Sequence, residues 1–187
     1  MDGTGLNLTS TLHTDRPDPT PYPAHSQELP AVYSNGPWYR LLSYNGTQPW
    51  QKQPPNEYPT GFRGPGAKGG AWIPGPMGVL SEHWAALMNK DLSSGLGVIN
   101  MDTSSFIGGF SGAKGSGGTT DGPAGYIAPV SQVVIPNKGE YTFSAFFALG
   151  TVEDIRDYAY SLRGKVKVSY LSRAFAFRIN EAILTSF

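Results

Sequence analysis

The sequence contains no cysteine and few charged residues. Its 187 residues include 14 basic and 14 acidic side chains, so the formal net charge is zero and charged residues make up only 15% of the chain. The absence of cysteine excludes disulfide bonds and thiolate metal sites. The low, balanced charge argues against a basic nucleic-acid-binding surface and against a charged membrane-binding patch. From composition we therefore predict no nucleic-acid partner and no membrane association.

Long apolar runs are also missing. No run approaches the roughly 18 residues that a helix needs to span a bilayer. The first thirty residues lack the apolar core of a secretory signal, so secretion would require a signal outside this sequence.

Glycine, proline and aromatic residues are abundant instead. The chain has 24 glycines and 16 prolines, and aromatic residues make up 12% of it. This composition, with few helix signals, is typical of all-β proteins with long loops. We predict a β-sandwich or jelly-roll-like domain over residues 1–164. Residues 165–187 form a C-terminal tail, which is either an added strand or an extension foreign to the fold.

Several segments have the patterns of strands and turns. Alternation or short apolar runs predict strands at residues 6–13, 28–33, 38–44, 81–89, 95–101, 126–135 and 140–149. Asn35-Gly36 predicts a hairpin or a short arch, and the turn residues after position 88 favour strand–turn–strand over a helix. The alternation in residues 140–149 places apolar side chains on both faces, which suits a central strand.

One helix is predicted over residues 151–162. Thr151 precedes Asp154 by three positions, as in a capping box, and apolar residues follow at helical spacing. The charged residues of this segment are predicted to form a solvated face: Glu153, Asp154, Arg156 and Asp157.

Residues 108–125 contain eight glycines among eighteen positions, and we predict an ordered loop lying on a sheet. Lys114 lies too early in this segment for a phosphate-binding loop, and no helix start follows. The three histidines lack the spacing of a helical zinc motif. We therefore predict no cofactor and no metal.

Two kinds of residue are candidates for a glycan site. Hydrolysis of a sugar bond needs two carboxylates, and Glu28 and Glu82, each beside apolar residues, are the candidates, with His13 completing a polar centre. The alternative is that both glutamates bond to backbone groups or to arginine. Flat rings bind the apolar faces of sugars, and about half of the candidates should lie in the core. These aromatic candidates are Trp38, Trp50, Tyr58, Trp72 and Trp84.

A set of segments carries a resemblance to a known group of proteins. They are QELPAVY, NGPWYRL, EHWAAL with SGLGVIN, FIGGFSG, GSGG, GYIAP and ALGTVEDIRDY, within residues 12–160. Together they resemble large, mostly uncharacterised secreted proteins with β-sandwich domains of the kind found in carbohydrate-active enzymes. The resemblance implies a sandwich fold and an extracellular glycan context, without a reaction.

Three functions are consistent with these observations. The first is a secreted carbohydrate-binding protein that recognises polysaccharide or oligosaccharide through exposed aromatic residues. The second is a glycoside hydrolase or polysaccharide lyase, either whole or as a truncated fragment. The third is an oligomeric, self-assembling structural protein, which the low charge and the apolar tail favour.

Overall fold

The structure, a computed structural model, describes residues 5–59, 78–116 and 122–164, and within these ranges it consists of two antiparallel sheets and one helix. The elements in chain order are β1 (Gly5–Asp15), β2 (His25–Glu28), β3 (Val32–Asn35), β4 (Arg40–Ser43), β5 (Asn56–Glu57), β6 (Gly78–Val79), β7 (Trp84–Met88), β8 (Gly95–Ile99), β9 (Ser105–Ser111), β10 (Ala124–Val133), β11 (Lys138–Gly150) and α1 (Val152–Leu162). The predicted all-β class is confirmed. The predicted tail, residues 165–187, lies outside the described residues.

The first sheet has six strands in the order β1-β11-β8-β7-β4-β5. The long strand β11 pairs with β1 from Lys138 to Ala148, whereas β8 pairs with only its last five residues, from Phe146 onward. Strands β7 and β8 pair as a hairpin, which confirms the predicted strand–turn–strand. As predicted, β11 is an internal strand.

The second sheet has the order β2-β10-β9-β6, and β3 also pairs with β10. Glu28 of β2 lies opposite Val130, and Val32 of β3 lies opposite Ile127. Three residues, 29–31, therefore oppose two residues of β10, which is a β-bulge. We call the bulged border formed by β2 and β3 the β2–β3 edge.

The predicted turn at Asn35-Gly36 connects the two sheets rather than closing a hairpin. The Asn35-Gly36 segment leads from β3 in the second sheet to β4 in the first, so the arch is the correct alternative. Residues 134–137 likewise lead from β10 to β11, which lie in different sheets.

Apolar side chains cover both faces of the first sheet. Between the sheets lies one buried cluster, to which both sheets contribute: Leu41, Leu80, Ala85, Leu87, Val98, Phe106 and Ile127. Helix α1 covers the other face, where Ile155 is completely buried. A Cβ atom at Gly97 would lie 2.2 Å from Cγ2 of Ile155, so glycine is required for the helix to approach β8 this closely.

The prediction of a loop beginning at Gly108 is wrong. Gly108 and Gly109 lie inside β9, opposite Ile127 and Tyr126 of β10. Phe106 and Ile107 on this strand are buried. Because these apolar side chains and the pairing with β10 stabilise the strand, two glycines do not end it.

Candidate functional site

A cleft of about 520 Å³ opens between the two sheets where β11 extends beyond the end of β8. One wall is formed by residues Tyr141, Thr142, Phe143 and Ser144 of β11. The opposite wall is formed by residues 130–133 of β10 together with Gln27 and Leu29. The floor consists of Asn100, Asp102, Thr103 and Ser105. We call this feature the inter-sheet cleft.

Neutral polar groups dominate the lining of the inter-sheet cleft. Hydroxyl and carboxamide side chains come from Gln27, Asn100, Thr103, Ser105 and Ser131. The side chains of Thr142 and Ser144 lie on the other face of β11, where they bond to Thr11 and Thr9 of β1, and Gln132 bonds to Ser26 on the other face of β10. Asp102 is the one acidic residue among the lining residues, and no lysine or arginine is among them. The rings of Tyr141 and Phe143 stack at a centroid distance of 6.5 Å and an angle of 24°. This lining suits a neutral ligand that carries many hydroxyl groups.

The floor of the cleft is tied to both walls by two side chains. The Asn100 carboxamide accepts hydrogen bonds from the backbone N–H groups of Asp102 and Thr103, at 2.8 and 3.1 Å. Its Nδ2 donates to the Ser144 carbonyl at 3.2 Å. The Thr103 hydroxyl donates to the carbonyl of Val130 at 2.9 Å. The cleft is therefore held in shape before any ligand binds.

The Asp102 carboxyl is the one charged group in the cleft. The residue is exposed, but partial burial of its carboxyl raises the pKa, an effect that nearby His83 opposes when protonated. No hydrogen bond from another described residue reaches this carboxyl, so it is available to a ligand.

The three predicted catalytic residues lie in separate places. Glu28 lies between Gln27 and Leu29, which line the cleft, and because alternate strand residues face opposite sides, Glu28 faces away. Its carboxylate accepts a hydrogen bond from the Tyr126 hydroxyl, whose pKa is raised by burial and by Glu28. His13 lies on β1, exposed, with Nδ1 3.1 Å from Oε1 of Glu140.

Glu82 is fully buried and binds an arginine. Its Oε2 accepts from Nε of Arg156 at 2.7 Å and from the indole N–H of Trp84 at 2.9 Å. Its Oε1 accepts from Nη2 of Arg156 at 2.6 Å, the Tyr160 hydroxyl at 2.7 Å and the backbone N–H of Trp50 at 2.9 Å. Glu82 thus matches the alternative in which the glutamate bonds to arginine and backbone.

The prediction that Arg156 belongs to a solvated face is wrong, because its side chain is only 7% exposed. Burial alone would raise the pKa of Glu82, but the hydrogen bonds from Arg156, Trp84 and Tyr160 outweigh it and lower the pKa. Arg156 lies one residue after Ile155 and three before Ala159, on the buried stripe of α1. That spacing was the signal for its burial.

The predicted aromatic platform is divided among different environments. Trp84 is 0% exposed and belongs to the core, so its ring offers no surface to a sugar. Trp50 packs against the rings of His83 and Tyr160, at centroid distances of 6.1 and 5.3 Å. Tyr58 is partly buried against the cluster between the sheets. Trp72 lies outside the described residues.

Trp38 lines a second cavity of about 450 Å³ beside the connection from β3 to β4. The other lining residues are Tyr33, Ser34, Asn35 and Pro37, and we call this feature the arch pocket. The backbone N–H of Trp38 donates to the Asn35 carbonyl at 3.0 Å, and the Ser34 hydroxyl donates to the Trp38 carbonyl at 3.1 Å. Tyr33 remains 59% exposed, with its ring 4.8 Å from that of Tyr126.

Sequence reasoning did not select Asp102, Tyr141 or Phe143 as site residues. The available signal was the alternation of ring and hydroxyl side chains in residues 141–144, because that pattern gives a strand one aromatic and one polar face. Such a pattern also fits a half-buried strand. The cleft therefore could not be predicted without the arrangement of the two sheets.

No protein-family model and no curated protein matches the chain. Among the described residues, no group of three or more histidine, aspartate or glutamate side chains is placed to hold a metal ion. No helix in the described part of the chain is long and apolar enough to cross a membrane. The inter-sheet cleft is therefore the feature of the described residues that bears on function.

Proposed function

We propose that the chain is a secreted, non-catalytic carbohydrate-binding β-sandwich protein that binds polysaccharide in the inter-sheet cleft. The observation that carries the proposal is the convergence of neutral hydroxyl and amide groups with the rings of Tyr141 and Phe143 on one preformed cavity. Sugar hydroxyls exchange hydrogen bonds with such groups, and the apolar face of a sugar ring packs on an aromatic ring. The buried cluster shared by both sheets supports the sandwich architecture.

The alternative enzyme function has one feature in its favour, the partial burial that raises the pKa of the Asp102 carboxyl. A raised pKa suits a general acid, but hydrolysis needs a second carboxylate within about 5–10 Å. Asp102 is the one acid among the described residues that line the cleft. Glu28 and Glu82 bond to Tyr126 and Arg156 instead. A lyase acting on acidic sugars would need cationic partners for their carboxylates, and the lining residues include no lysine or arginine.

Affinity gel electrophoresis tests the proposal, with hydroxyethylcellulose, xylan, laminarin and polygalacturonate each cast into the gel. We expect retardation by at least one neutral polysaccharide. Phe143→Ala should weaken it by about 2–10-fold in affinity, since ring contacts of this kind contribute about 0.5–1.5 kcal/mol. Asp102→Asn should weaken it as well. The matched control is Asp157→Asn, because Asp157 lies on α1 and pairs with Lys52 at 2.6 Å.

A reducing-sugar assay on the same samples separates binding from catalysis. We expect no product. If the unmodified protein forms product and the Asp102→Asn variant does not, the cleft catalyses hydrolysis or elimination instead of only binding the polysaccharide. Retardation that survives both cleft variants, or no retardation by any polysaccharide, would contradict the proposed site. Light scattering tests the self-assembling alternative, which a monomer would exclude.

A further inference from the structure

The inter-sheet cleft and the arch pocket share one border of the second sheet. Gln27 and Leu29 of the β2–β3 edge line the cleft, and Tyr33 of the same edge lines the arch pocket. Gln27 lies opposite Ser131 and Tyr33 lies opposite Tyr126, and these partners are five positions apart on β10, which corresponds to about 17 Å along that strand. The two cavities therefore lie at the two ends of the bulged β2–β3 edge, with Gln27 and Tyr33 on opposite faces of the sheet.

The edge between the cavities can itself contact a ligand. Strand β10 pairs with β2 and β3 on one side, and no strand in the described ranges pairs with their other side. An edge of this kind presents backbone N–H and C=O groups outward. Sugar hydroxyl groups can both donate to and accept from such groups.

The arch pocket offers the same chemistry as the cleft on a smaller scale. Tyr33 supplies an exposed ring and Asn35 an exposed carboxamide, while Trp38 lines the pocket with a ring that is partly buried against the cluster between the sheets. None of its lining residues is charged. Because neither cavity is lined by a lysine or arginine, an acidic sugar would find no cation in either.

We infer that the arch pocket is a second subsite for the same ligand, and that the ligand is a neutral polysaccharide chain lying along the β2–β3 edge. This inference rests on the proposed function. Once one part of a chain is held in the cleft, binding of the next part to the arch pocket becomes intramolecular, which strengthens the total affinity without any new kind of contact. A sugar too short to cover about 17 Å gains nothing from the second subsite.

Calorimetric titration with cello-, xylo- and laminari-oligosaccharides of two to eight sugars tests the inference, with oligogalacturonates of the same lengths as the acidic arm. In the neutral series that binds, affinity should rise by at least about tenfold once the oligomer reaches the arch pocket. Tyr33→Ala should remove that rise and leave the affinity of the shortest oligomers unchanged. Tyr33→Phe, which keeps the ring, should retain it. Tyr22→Ala is the matched control, because Tyr22 is 46% exposed and lines neither cavity.

The outcomes separate this inference from the proposed function. Affinity that does not depend on chain length, or a length dependence that survives Tyr33→Ala, overturns the second subsite, while loss of short-oligomer binding in Phe143→Ala keeps the cleft. Tighter binding of the oligogalacturonates overturns the neutral ligand class. Absence of binding by every oligomer, or binding unaffected by Phe143→Ala, overturns the proposed function itself.

Discussion

The ion pair between Glu82 and Arg156 gives a quantitative stability prediction. Glu82 is 0% exposed, and Arg156 supplies two of the five hydrogen bonds that its carboxylate accepts. Arg156→Met removes both of them together with the only counter-charge that contacts the carboxylate among the described residues. Removing one partner of a buried ion pair costs about 3–5 kcal/mol, because an uncompensated charge stays buried. We expect the free energy of unfolding of this variant to fall by that amount.

Urea unfolding followed by tryptophan fluorescence measures this loss. The Trp84 indole donates to Glu82 at 2.9 Å, so its emission reports on the site directly. Domains of this size unfold with a slope of about 2 kcal/mol per molar urea. A loss of about 4 kcal/mol therefore lowers the midpoint by about 2 M urea.

The double variant Glu82→Gln with Arg156→Met provides the control, because no buried charge remains in it. Its stability should exceed the value expected from adding the two single losses, since the residues contact each other directly. The double variant should also keep its glycan affinity, because neither residue lines the inter-sheet cleft. A cost of less than about 1 kcal/mol for Arg156→Met, or two single losses that simply add, would refute a stabilising role for this ion pair.

Three further predictions concern the same helix and its surroundings. Because the pKa of Glu82 is lowered in the folded state, its contribution to stability is complete above the unfolded pKa near 4.5 and is lost as pH falls through the folded pKa. The urea midpoint should therefore fall less steeply between pH 7 and pH 2 in the Glu82→Gln/Arg156→Met double variant than in the unmodified protein. Equal slopes in the two proteins would contradict this prediction. Gly97→Ala should destabilise by about 1–3 kcal/mol, since the new Cβ would lie 2.2 Å from Ile155, and an unchanged thermal midpoint would show that the helix shifts freely. Thr151→Ala removes the N-cap side chain and should cost about 1 kcal/mol in urea unfolding, whereas Thr151→Ser should restore most of it.

Local patterns were sufficient to predict most strands and the helix. Alternation located β1 and β11, the capping pair Thr151 and Asp154 located the start of α1, and turn residues identified the β7–β8 hairpin. These features depend on residues that are neighbours in sequence. The pairing of β3 with β10 and of β1 with β11 depends on contacts across about a hundred residues or more, and no local turn signal determines such contacts.

The candidate site was harder to predict than the strands, because it is formed by residues that are far apart in the sequence. Glu82 and Arg156 are 74 positions apart in the sequence. Judged from its sequence neighbours alone, Glu82 is an acid at the edge of a strand and Arg156 is a base on the solvent face of a helix. Only the helical spacing of Arg156 with Val152 and Ala159 indicated its burial. Alternation places Tyr141 and Phe143 on the same face of their strand, but another sheet could equally have covered that face. That it lines a cleft follows from where β8 ends.

The inter-sheet cleft is a consequence of unequal strand lengths. Strand β11 has 13 residues and β8 has five, so eight residues of β11 have no β8 residue opposite them. At the point where β8 stops, the Asn100 side chain bonds to the Ser144 carbonyl and so replaces the next backbone pair. The chain then turns away through Asp102 and Thr103 toward the second sheet, where Thr103 bonds to Val130. A polar floor is required at this place, because the turning backbone needs hydrogen-bond partners that an apolar core cannot supply. The same groups that close the end of the core therefore create the neutral polar surface on which the proposed glycan binding depends.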